Sequence, residues 1–167
     1  RAGFRQPPHL LVAAGQWPRT ALSNGRETAG KTLGLIGFGS IGQLTAKLAR
    51  GLGMEVIAFD AMMDEDHPAY AAVGVRPAGL DELIASADVV SLHVPLVDST
   101  RNLFDARRIA AMKRGAVLIN TARGGIIDEA ALAEALRGGH LGGAAIDVFG
   151  SEPLPASAHF TDCQNLL

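Results

Sequence analysis

The 167-residue chain has few of the residues that mark secreted, membrane or nucleic-acid-binding proteins. Its single cysteine, Cys163, excludes an internal disulfide and suits a reducing compartment. Every apolar run is interrupted by glycine, proline or a charged residue before it reaches membrane-spanning length. A formal net charge of −2 gives no electrostatic reason to expect binding to nucleic acid or to an anionic membrane. We therefore expect a soluble, cytoplasmic protein, although the chain begins with Arg1 rather than Met, which leaves a preceding targeting segment open.

Glycine, in contrast, is abundant, and three of the 20 glycines form the pattern G-x-G-x-x-G directly after an apolar run. This pattern predicts a strand that leads into a phosphate-binding turn. Gly37 would permit the tight turn, Gly39 would let backbone N–H groups approach a pyrophosphate, and Gly42 would let the next helix pack close to the strand. The N-terminus of that helix, with Ser40 and Ile41, would present free N–H groups and a positive dipole end to the anion.

The residues after the glycines decide between a dinucleotide site and an ordinary strand-to-helix turn. A helix is predicted by the spacing of four apolar residues, Ile41, Leu44, Leu48 and Leu52. A second buried strand is predicted over 55–59, and it ends at Asp60, 18 residues after Gly42. At about this distance a dinucleotide-binding unit places the carboxylate that accepts hydrogen bonds from the adenosine ribose. The order of strand, turn, helix, strand and acid therefore predicts a dinucleotide site.

The rest of the chain predicts a doubly wound parallel α/β sheet, the Rossmann fold, with about six strands and helices on both faces. Short apolar segments alternate with helical ones after Asp60. Strands are predicted at 74–76, 88–94, 116–120 and 144–148, and helices from Leu80, over 105–113 and over 128–137. We assign 31–167 to this domain and interpret 1–30 as a connector or helical arm, in which Trp17 is a packing anchor or a contact to another chain or domain.

Polar residues that follow the apolar runs are candidate site residues, because ligands bind beyond the carboxyl ends of the strands in such a sheet. Arg123 follows the fifth strand, and its rigid guanidinium suits a carboxylate or keto oxygen. The alternative is a surface arginine paired with an acid such as Asp128. Glu152 follows the last strand and would support an imidazolium in acid–base catalysis, or else be a solvated loop glutamate.

Four motifs in order give the chain a family resemblance. They are Gly30-Lys31-Thr32-Leu33-Gly34 before the fingerprint, Leu92-His93-Val94-Pro95-Leu96, Asn120-Thr121-Ala122-Arg123-Gly124-Gly125-Ile126-Ile127-Asp128-Glu129, and Asp147-Val148-Phe149 with Glu152-Pro153-Leu154-Pro155. Through them, about residues 29–167 resemble the NAD-binding domain of the D-isomer-specific 2-hydroxyacid dehydrogenases, which include phosphoglycerate, glycerate and formate dehydrogenases.

The resemblance implies roles for particular residues. Arg123 matches the catalytic arginine that holds the substrate carboxylate and carbonyl, and Glu152 matches the glutamate that pairs with the catalytic histidine. Asp147 would bind the nicotinamide carboxamide. The remaining cofactor-site residues implied are Thr121, Ala122, His93, Val94 and Pro95, with a backbone or packing role as the alternative for the last three.

The implied activity is an NAD-dependent oxidation of a D-2-hydroxy acid to a 2-oxo acid, or its reverse, by a homodimer. The family's histidine and substrate domain would lie outside residues 1–167, so this chain alone is expected to bind NAD without turnover. His93 belongs to the cofactor segment, and solvated positions are predicted for His9, His67, His140 and His159. No metal site is predicted. Two alternatives stay open: an NAD-sensing interaction module similar to corepressors of this family, and a member acting on another substrate such as formate.

Overall fold

The structure, a computed structural model, describes residues 13–15, 27–154, 159–163 and 165–167. Most of the predicted connector lies outside these residues, including His9 and Trp17, as does Pro155 of the last motif. The proposed boundary between residues 30 and 31 therefore stays a prediction.

A sheet of six parallel strands forms the centre of the fold, in the order β3-β2-β1-β4-β5-β6. The strands are β1 (Thr32–Ile36), β2 (Glu55–Phe59), β3 (Arg76–Pro77), β4 (Val89–Leu92), β5 (Val117–Asn120) and β6 (Gly143–Ile146). The chain runs outward from β1 through β2 to β3 and then returns to β4, which pairs with the other side of β1. This reversal confirms the predicted doubly wound topology, and it places a crevice beyond the carboxyl ends of β1 and β4.

Five helices between residues 27 and 154 connect the strands. They are α1 (Ser40–Gly51), α2 (Pro68–Val73), α3 (Leu80–Ser86), α4 (Ala106–Ala111) and α5 (Glu129–Arg137). The sequence did not predict α2, a six-residue helix too short to show apolar periodicity. Gly74 ends it with φ of +67°, so the strand predicted at 74–76 starts two residues later, at Arg76. No helix among the described residues has the length and apolar character needed to span a membrane.

Two of the histidines predicted to be solvated contribute to the fold. His67 is half-buried, and its Nδ1 accepts a hydrogen bond of 3.2 Å from the N–H of Ala69 at the start of α2. His140 is also half-buried, with its Nε2 3.1 Å from the carbonyl oxygen of Ile109. The prediction was wrong for these two, because both rings satisfy backbone groups at helix ends. His159 is exposed.

Apolar side chains cover both faces of the sheet. β1 shows the division: Leu33 and Leu35 belong to the cluster under α1 and α2, while Ile36 belongs to the cluster under α3, α4 and α5. A parallel sheet that is buried on both faces has this near-continuous apolar strand pattern. The rigid sheet therefore carries its polar residues at the strand ends, where the loops begin.

The face of α1 that packs on the sheet is made of small residues, Gly42, Ala46 and Ala49. Small side chains let the helix approach β1 closely, as predicted for Gly42. The apolar residues that predicted this helix instead point outward. We call this outward face the α1 stripe; it comprises Ile41, Leu44, Leu48 and Leu52, which are 62%, 54%, 64% and 63% exposed.

Candidate cofactor and active site

The glycine turn between β1 and α1 lies at the carboxyl edge of the sheet and has no room for side chains at two positions. Gly37 has φ of +92°, and a Cβ there would lie 2.5 Å from the carbonyl oxygen of His93. A Cβ on Gly42 would collide with the carbonyl oxygen of Gly37. A Cβ on Gly39, by contrast, would meet no atom of the described chain within 4 Å. This open side of the turn is where an anion can reach the backbone.

The N-terminus of α1 faces this open side with unused hydrogen-bond donors. Gly39 is the N-cap and supplies no side-chain cap, and the first turn contains no acidic residue. The first helical hydrogen bond runs from the N–H of Gln43 to the carbonyl of Gly39. The N–H groups of Ser40, Ile41 and Gly42 have no acceptor in the described part of the chain. Free N–H groups at a helix N-terminus suit a pyrophosphate, so these residues fit the phosphates of a dinucleotide.

Asp60, predicted as a ribose acceptor, also holds the glycine turn. Its Oδ2 accepts a hydrogen bond of 2.7 Å from the N–H of Phe38, and its Oδ1 accepts one of 2.9 Å from the N–H of Met62. Gln43 donates from Nε2 to the carbonyl of Phe38 at 2.9 Å. The Phe38 ring stacks on Tyr70, with centroids 4.9 Å apart. Neither Gln43 nor Tyr70 was predicted from the sequence, although Gln43 was visible as a polar residue in the first turn of the helix.

The pKa of Tyr70, which lies beneath the turn, is consistent with its packing on Phe38. Burial raises the pKa of the Tyr70 hydroxyl, and the nearby charge of Asp60 raises it further. The phenol therefore stays neutral across the physiological range. A neutral ring can stay packed on Phe38 without placing a second negative charge beside the anion site.

A second group of predicted residues meets in a cleft of about 290 Å³ beside the turn. It is lined by the N-terminus of α1, the end of β4 and the end of β5, through Ile41, His93, Val94, Pro95, Thr121, Ala122 and Arg123. His93 is half-buried, and its Nε2 lies 3.0 Å from the Oγ of Ser91. Burial lowers the pKa of His93, so the ring is neutral at physiological pH. The fold thus brings together side chains that are up to 82 residues apart in the chain.

Asn120, at the end of β5, shapes the loop that carries Arg123. It is 2% exposed, its Oδ1 accepts from the N–H of Ala122 at 3.1 Å, and its Nδ2 donates to the carbonyl of Arg123 at 2.9 Å. Arg123 is exposed and makes no ion pair among the described residues. Asp128 instead caps α5 by accepting from the N–H of Ala131. The alternative of an Arg123–Asp128 pair is therefore absent from the structure. The Nη1 of Arg123 donates to the carbonyl of Ala122 at 2.6 Å, and the guanidinium lines the cleft without a carboxylate partner among the described residues.

The loop after β6 lies next to the Arg123 loop. The N–H of Asp147, whose side chain is exposed, donates to the carbonyl of Asn120 at 3.0 Å. The Oε1 of Glu152 accepts a hydrogen bond of 2.9 Å from the N–H of Phe149. Glu152 is therefore bound to its own loop at one carboxylate oxygen, rather than fully solvated. The roles assigned to Asp147 and Glu152 from the sequence stay predictions.

A larger cleft of about 740 Å³ lies at the opposite edge of the sheet, at the amino ends of the strands. Of the two acids that line it, Glu27 and Asp88, Asp88 already accepts from the Nζ of Lys113 at 2.7 Å and from the N–H of Thr32 at 2.9 Å. Both bonds lower the pKa of that carboxyl. Size does not make this cleft the functional site, because none of the predicted site residues lines it.

Comparison with known proteins places these features in a family. The family described as D-isomer specific 2-hydroxyacid dehydrogenase, NAD binding domain, matches residues 6–167. The (S)-sulfolactate dehydrogenase of Chromohalobacter salexigens is 49% identical over 167 residues, covering 100% of this chain and 53% of that protein. The hydroxypyruvate reductase of Thermotoga maritima is 49% identical over 145 residues, covering 86% of this chain and 45% of that protein. The chain thus spans about half the length of these relatives.

A solved structure agrees with these relatives. The NAD-dependent formate dehydrogenase of Staphylococcus aureus, in complex with NAD, superposes with a TM-score of 0.84 at 34% sequence identity. The alignment covers 95% of this chain and 47% of that one. The similarity therefore extends over nearly the whole of this chain and about half of that one.

Proposed function

Because this chain belongs to the D-isomer-specific 2-hydroxyacid dehydrogenases, as an NAD-binding domain of that family, we propose that it serves the interconversion of a D-2-hydroxy acid and a 2-oxo acid. One observation carries the proposal: an arginine with no ion pair among the described residues lines the cleft beside the glycine turn, next to a loop that carries a glutamate. NAD supplies the hydride acceptor or donor when it is bound.

The cofactor would lie along the carboxyl edge of the sheet. The free N–H groups of Ser40, Ile41 and Gly42 would bind its pyrophosphate, and Asp60 would accept from the adenosine ribose. Asp60 can do this while it holds Phe38, because each carboxylate oxygen has two acceptor sites. The nicotinamide end would lie in the 290 Å³ cleft, between His93, Val94 and Pro95 on one side and Thr121 and Ala122 on the other, with Asp147 at the carboxamide.

Arg123 would hold the substrate. Its guanidinium can donate paired hydrogen bonds to the substrate carboxylate and to the oxygen on C2. Orientation of C2 converts an encounter between two molecules into a reaction within one complex. The same positive charge stabilises the negative charge that develops on the C2 oxygen during reduction.

Glu152 would act on a histidine that the rest of a longer polypeptide supplies. Its Oε1 is held by the N–H of Phe149, and its Oε2 accepts no hydrogen bond from the described residues. Oε2 can therefore accept from a histidine N–H and stabilise the imidazolium. That imidazolium would give its proton to the C2 oxygen as a 2-oxo acid is reduced.

Formate oxidation is a second candidate, since the superposed Staphylococcus aureus structure is a formate dehydrogenase. Formate loses a hydride to become carbon dioxide, so no proton moves on or off an oxygen. An acid–base pair built on Glu152 has no work to do in that reaction, which favours a hydroxy acid. An NAD-sensing module without turnover is the third alternative, and an assay for protein partners would detect it.

The test compares residues 1–167 with a polypeptide extended at both ends to the length of its relatives. We expect both to bind NAD in titration calorimetry. We expect only the longer polypeptide to oxidise NADH with glyoxylate, hydroxypyruvate or pyruvate, because loss of a general acid alone costs on the order of 10²–10⁴ in rate. Activity with formate alone would overturn the substrate proposal. Robust turnover by residues 1–167 would show that the acid was misplaced, and His93 and His159 would then be substituted.

We also propose that the protein is a cytoplasmic homodimer and that 31–167 form its cofactor domain, with 1–30 as a connector. The single cysteine supports the compartment. The α1 stripe supports the dimer, since four large apolar side chains on one helix face are more than half exposed. A two-fold contact would bury this face against its own copy.

A further inference from the structure

We propose that Glu129 is a positioning residue that holds the Glu152 loop, residues 148–154, against the Arg123 loop, residues 121–125. The proposal rests on the function proposed above for Arg123 and Glu152. Glu129 ends the motif that begins at Asn120, and it is not among the residues proposed above to bind the cofactor. It is half-buried as the first residue of α5, and its carboxylate points to the loop after β6.

Two carboxylates share the start of the Glu152 loop. The N–H of Gly150 donates to the Oε1 of Glu129 at 2.7 Å, and the preceding N–H, that of Phe149, donates to the Oε1 of Glu152 at 2.9 Å. The second bond fixes the Glu152 side chain to its loop, and the first fixes the loop to α5. No other hydrogen bond ties residues 148–154 to the rest of the described chain. The Phe149 ring also packs against the apolar core and on the Phe160 ring, with centroids 6.1 Å apart. The Glu129 bond adds the one hydrogen bond that ties the loop backbone beyond Phe149 to the described part of α5, so the position of Glu152 depends on Glu129 as well as on this packing.

The backbone of the Arg123 loop contacts the backbone of the Glu152 loop directly. A Cβ on Gly124 would collide with the carbonyl of Phe149, so the two backbones touch where only glycine fits. Glu129 lies five residues beyond Gly124, at the end of the same connection. It draws Gly150 toward α5 and thereby keeps Phe149 on Gly124. The contact sets the separation between the arginine and the glutamate that the reaction requires.

Substitutions at residue 129 can separate the length of the side chain, its charge and its acceptor oxygen. A carboxylate accepts a shorter and stronger hydrogen bond than a neutral group, and its charge is favourable at a helix N-terminus. Glutamine keeps the length and an acceptor oxygen. Aspartate keeps the charge but is one methylene shorter, and alanine removes the acceptor. If Glu129 acts by positioning, then E129Q should retain most of the parent kcat and E129D should lose much of it.

Kinetics of the extended polypeptide test the proposal, with E134A as the matched control on the exposed face of α5. We expect E129A and E129D to lower kcat by on the order of 10²-fold, since a 1 Å misplacement can cost that much. We expect E129Q to stay within about five-fold of the parent and E134A to be unchanged. The Kd for NAD, measured by calorimetry, should move by less than about two-fold in all four variants, because Glu129 does not line the cleft proposed for the nicotinamide.

The pH profile separates positioning from a general loss of structure. Glu152 raises the pKa of an adjacent histidine by stabilising its imidazolium. Displacement of Glu152 lowers that pKa, so the alkaline limb of 2-oxo acid reduction should shift to lower pH in E129A. An E129A enzyme with reduced kcat but an unmoved alkaline limb would overturn the positioning role.

Two further measurements distinguish a failure of the role proposed for Glu152 from a failure of the role proposed for Glu129. E152Q tests the proposed function by itself: an unchanged kcat and pH profile would overturn the role of Glu152, whatever Glu129 does. Amide hydrogen exchange on residues 1–167 tests the contact without any turnover. Exchange at Gly150 should accelerate by at least about ten-fold in E129A and not in E134A. Equal protection of Gly150 in both variants would overturn the proposal even if E129A lost activity.

Discussion

The carboxylate of Asp60 and the backbone N–H of Phe38 are joined by a hydrogen bond of 2.7 Å. The bond connects the end of β2 to the middle of the glycine turn, across 22 positions of sequence. Asp60 therefore has two separable properties: an acceptor oxygen that holds the turn, and a negative charge at the position proposed for the ribose. Substitutions that remove one property and keep the other can measure each.

Asp60 should make the chain prefer NAD to NADP. Its charge repels a 2′-phosphate, and the next three residues, Ala61, Met62 and Met63, supply no cation to offset it. We expect at least about ten-fold tighter binding of NAD, which corresponds to ~1.4 kcal/mol. D60N keeps an acceptor for Phe38 and should reduce the preference with little loss of NAD affinity. D60A should also weaken the binding of NAD. Titration calorimetry with both cofactors is the measurement, and equal binding by the parent chain would refute the prediction.

Gly42 and Gly39 should respond differently to the same substitution. G42A places a Cβ against the carbonyl of Gly37, so it should lower the free energy of unfolding by about 1–3 kcal/mol. In G39A the new Cβ meets no atom of the described chain within 4 Å, and φ at this position is −70°, so the fold should tolerate the substitution. The new methyl group would nevertheless stand where the pyrophosphate approaches, so G39A should weaken NAD binding. Urea unfolding and calorimetry check both effects, and a destabilised G39A would show that the open side is misassigned.

The α1 stripe should carry self-association. L44E combined with L48E puts two charges on a face that a dimer would desolvate, so the dimer should weaken by on the order of 10²-fold. K47E on the exposed side of the same helix is the control. Light scattering at micromolar concentration measures the mass, and NAD titration checks that the fold is retained. A parent chain that is monomeric at every accessible concentration would contradict the prediction.

Asp88 should make stability depend on pH in the acidic range. Lys113 first, and then the N–H of Thr32, lower the pKa of Asp88 below its ordinary value in the folded chain. A lowered folded pKa means that the pair stabilises the fold above the unfolded pKa, near 3.9, and that this contribution is lost as the pH falls through the folded value.

Removal of the lysine tests this assignment. K113M should cost ~0.5–1 kcal/mol at pH 7, a small value because both side chains are partly exposed, at 43% and 28%. The difference between parent and variant should shrink as the pH falls from about 5 to 2. K47M, which removes a lysine that has no ion pair in the described chain, should show no such trend. Unfolding curves at several pH values provide the comparison, and a constant difference would exclude Asp88 as the source.

Local sequence pattern was sufficient to predict the sheet and its topology. The glycine spacing, the apolar strands and Asp60 at the end of β2 predicted the dinucleotide turn and the doubly wound sheet, and the structure confirms the sheet. These features lie within short stretches, and right-handed crossovers leave few ways to connect them. The motifs around Arg123 and Glu152 also identified the family, which the comparisons confirm.

The direction in which side chains point, and the residues that they contact, required the tertiary structure. Helical spacing in α1 was visible, but only packing shows that Gly42, Ala46 and Ala49 face the sheet while the larger residues face outward. No sequence pattern predicted α2, because this helix is too short for periodicity and depends on its His67 cap and Gly74 end.

The sequence by itself determined where the strands end, and therefore which polar residues follow them, because strand, turn and helix propensities act over a few neighbouring residues. Only the tertiary structure decided what those residues touch. The Glu129–Gly150 bond joins positions 21 apart, and the Asp60–Phe38 bond joins positions 22 apart. Such bonds form when parallel strands bring their carboxyl ends to one edge of a sheet, and no periodicity within either segment encodes them.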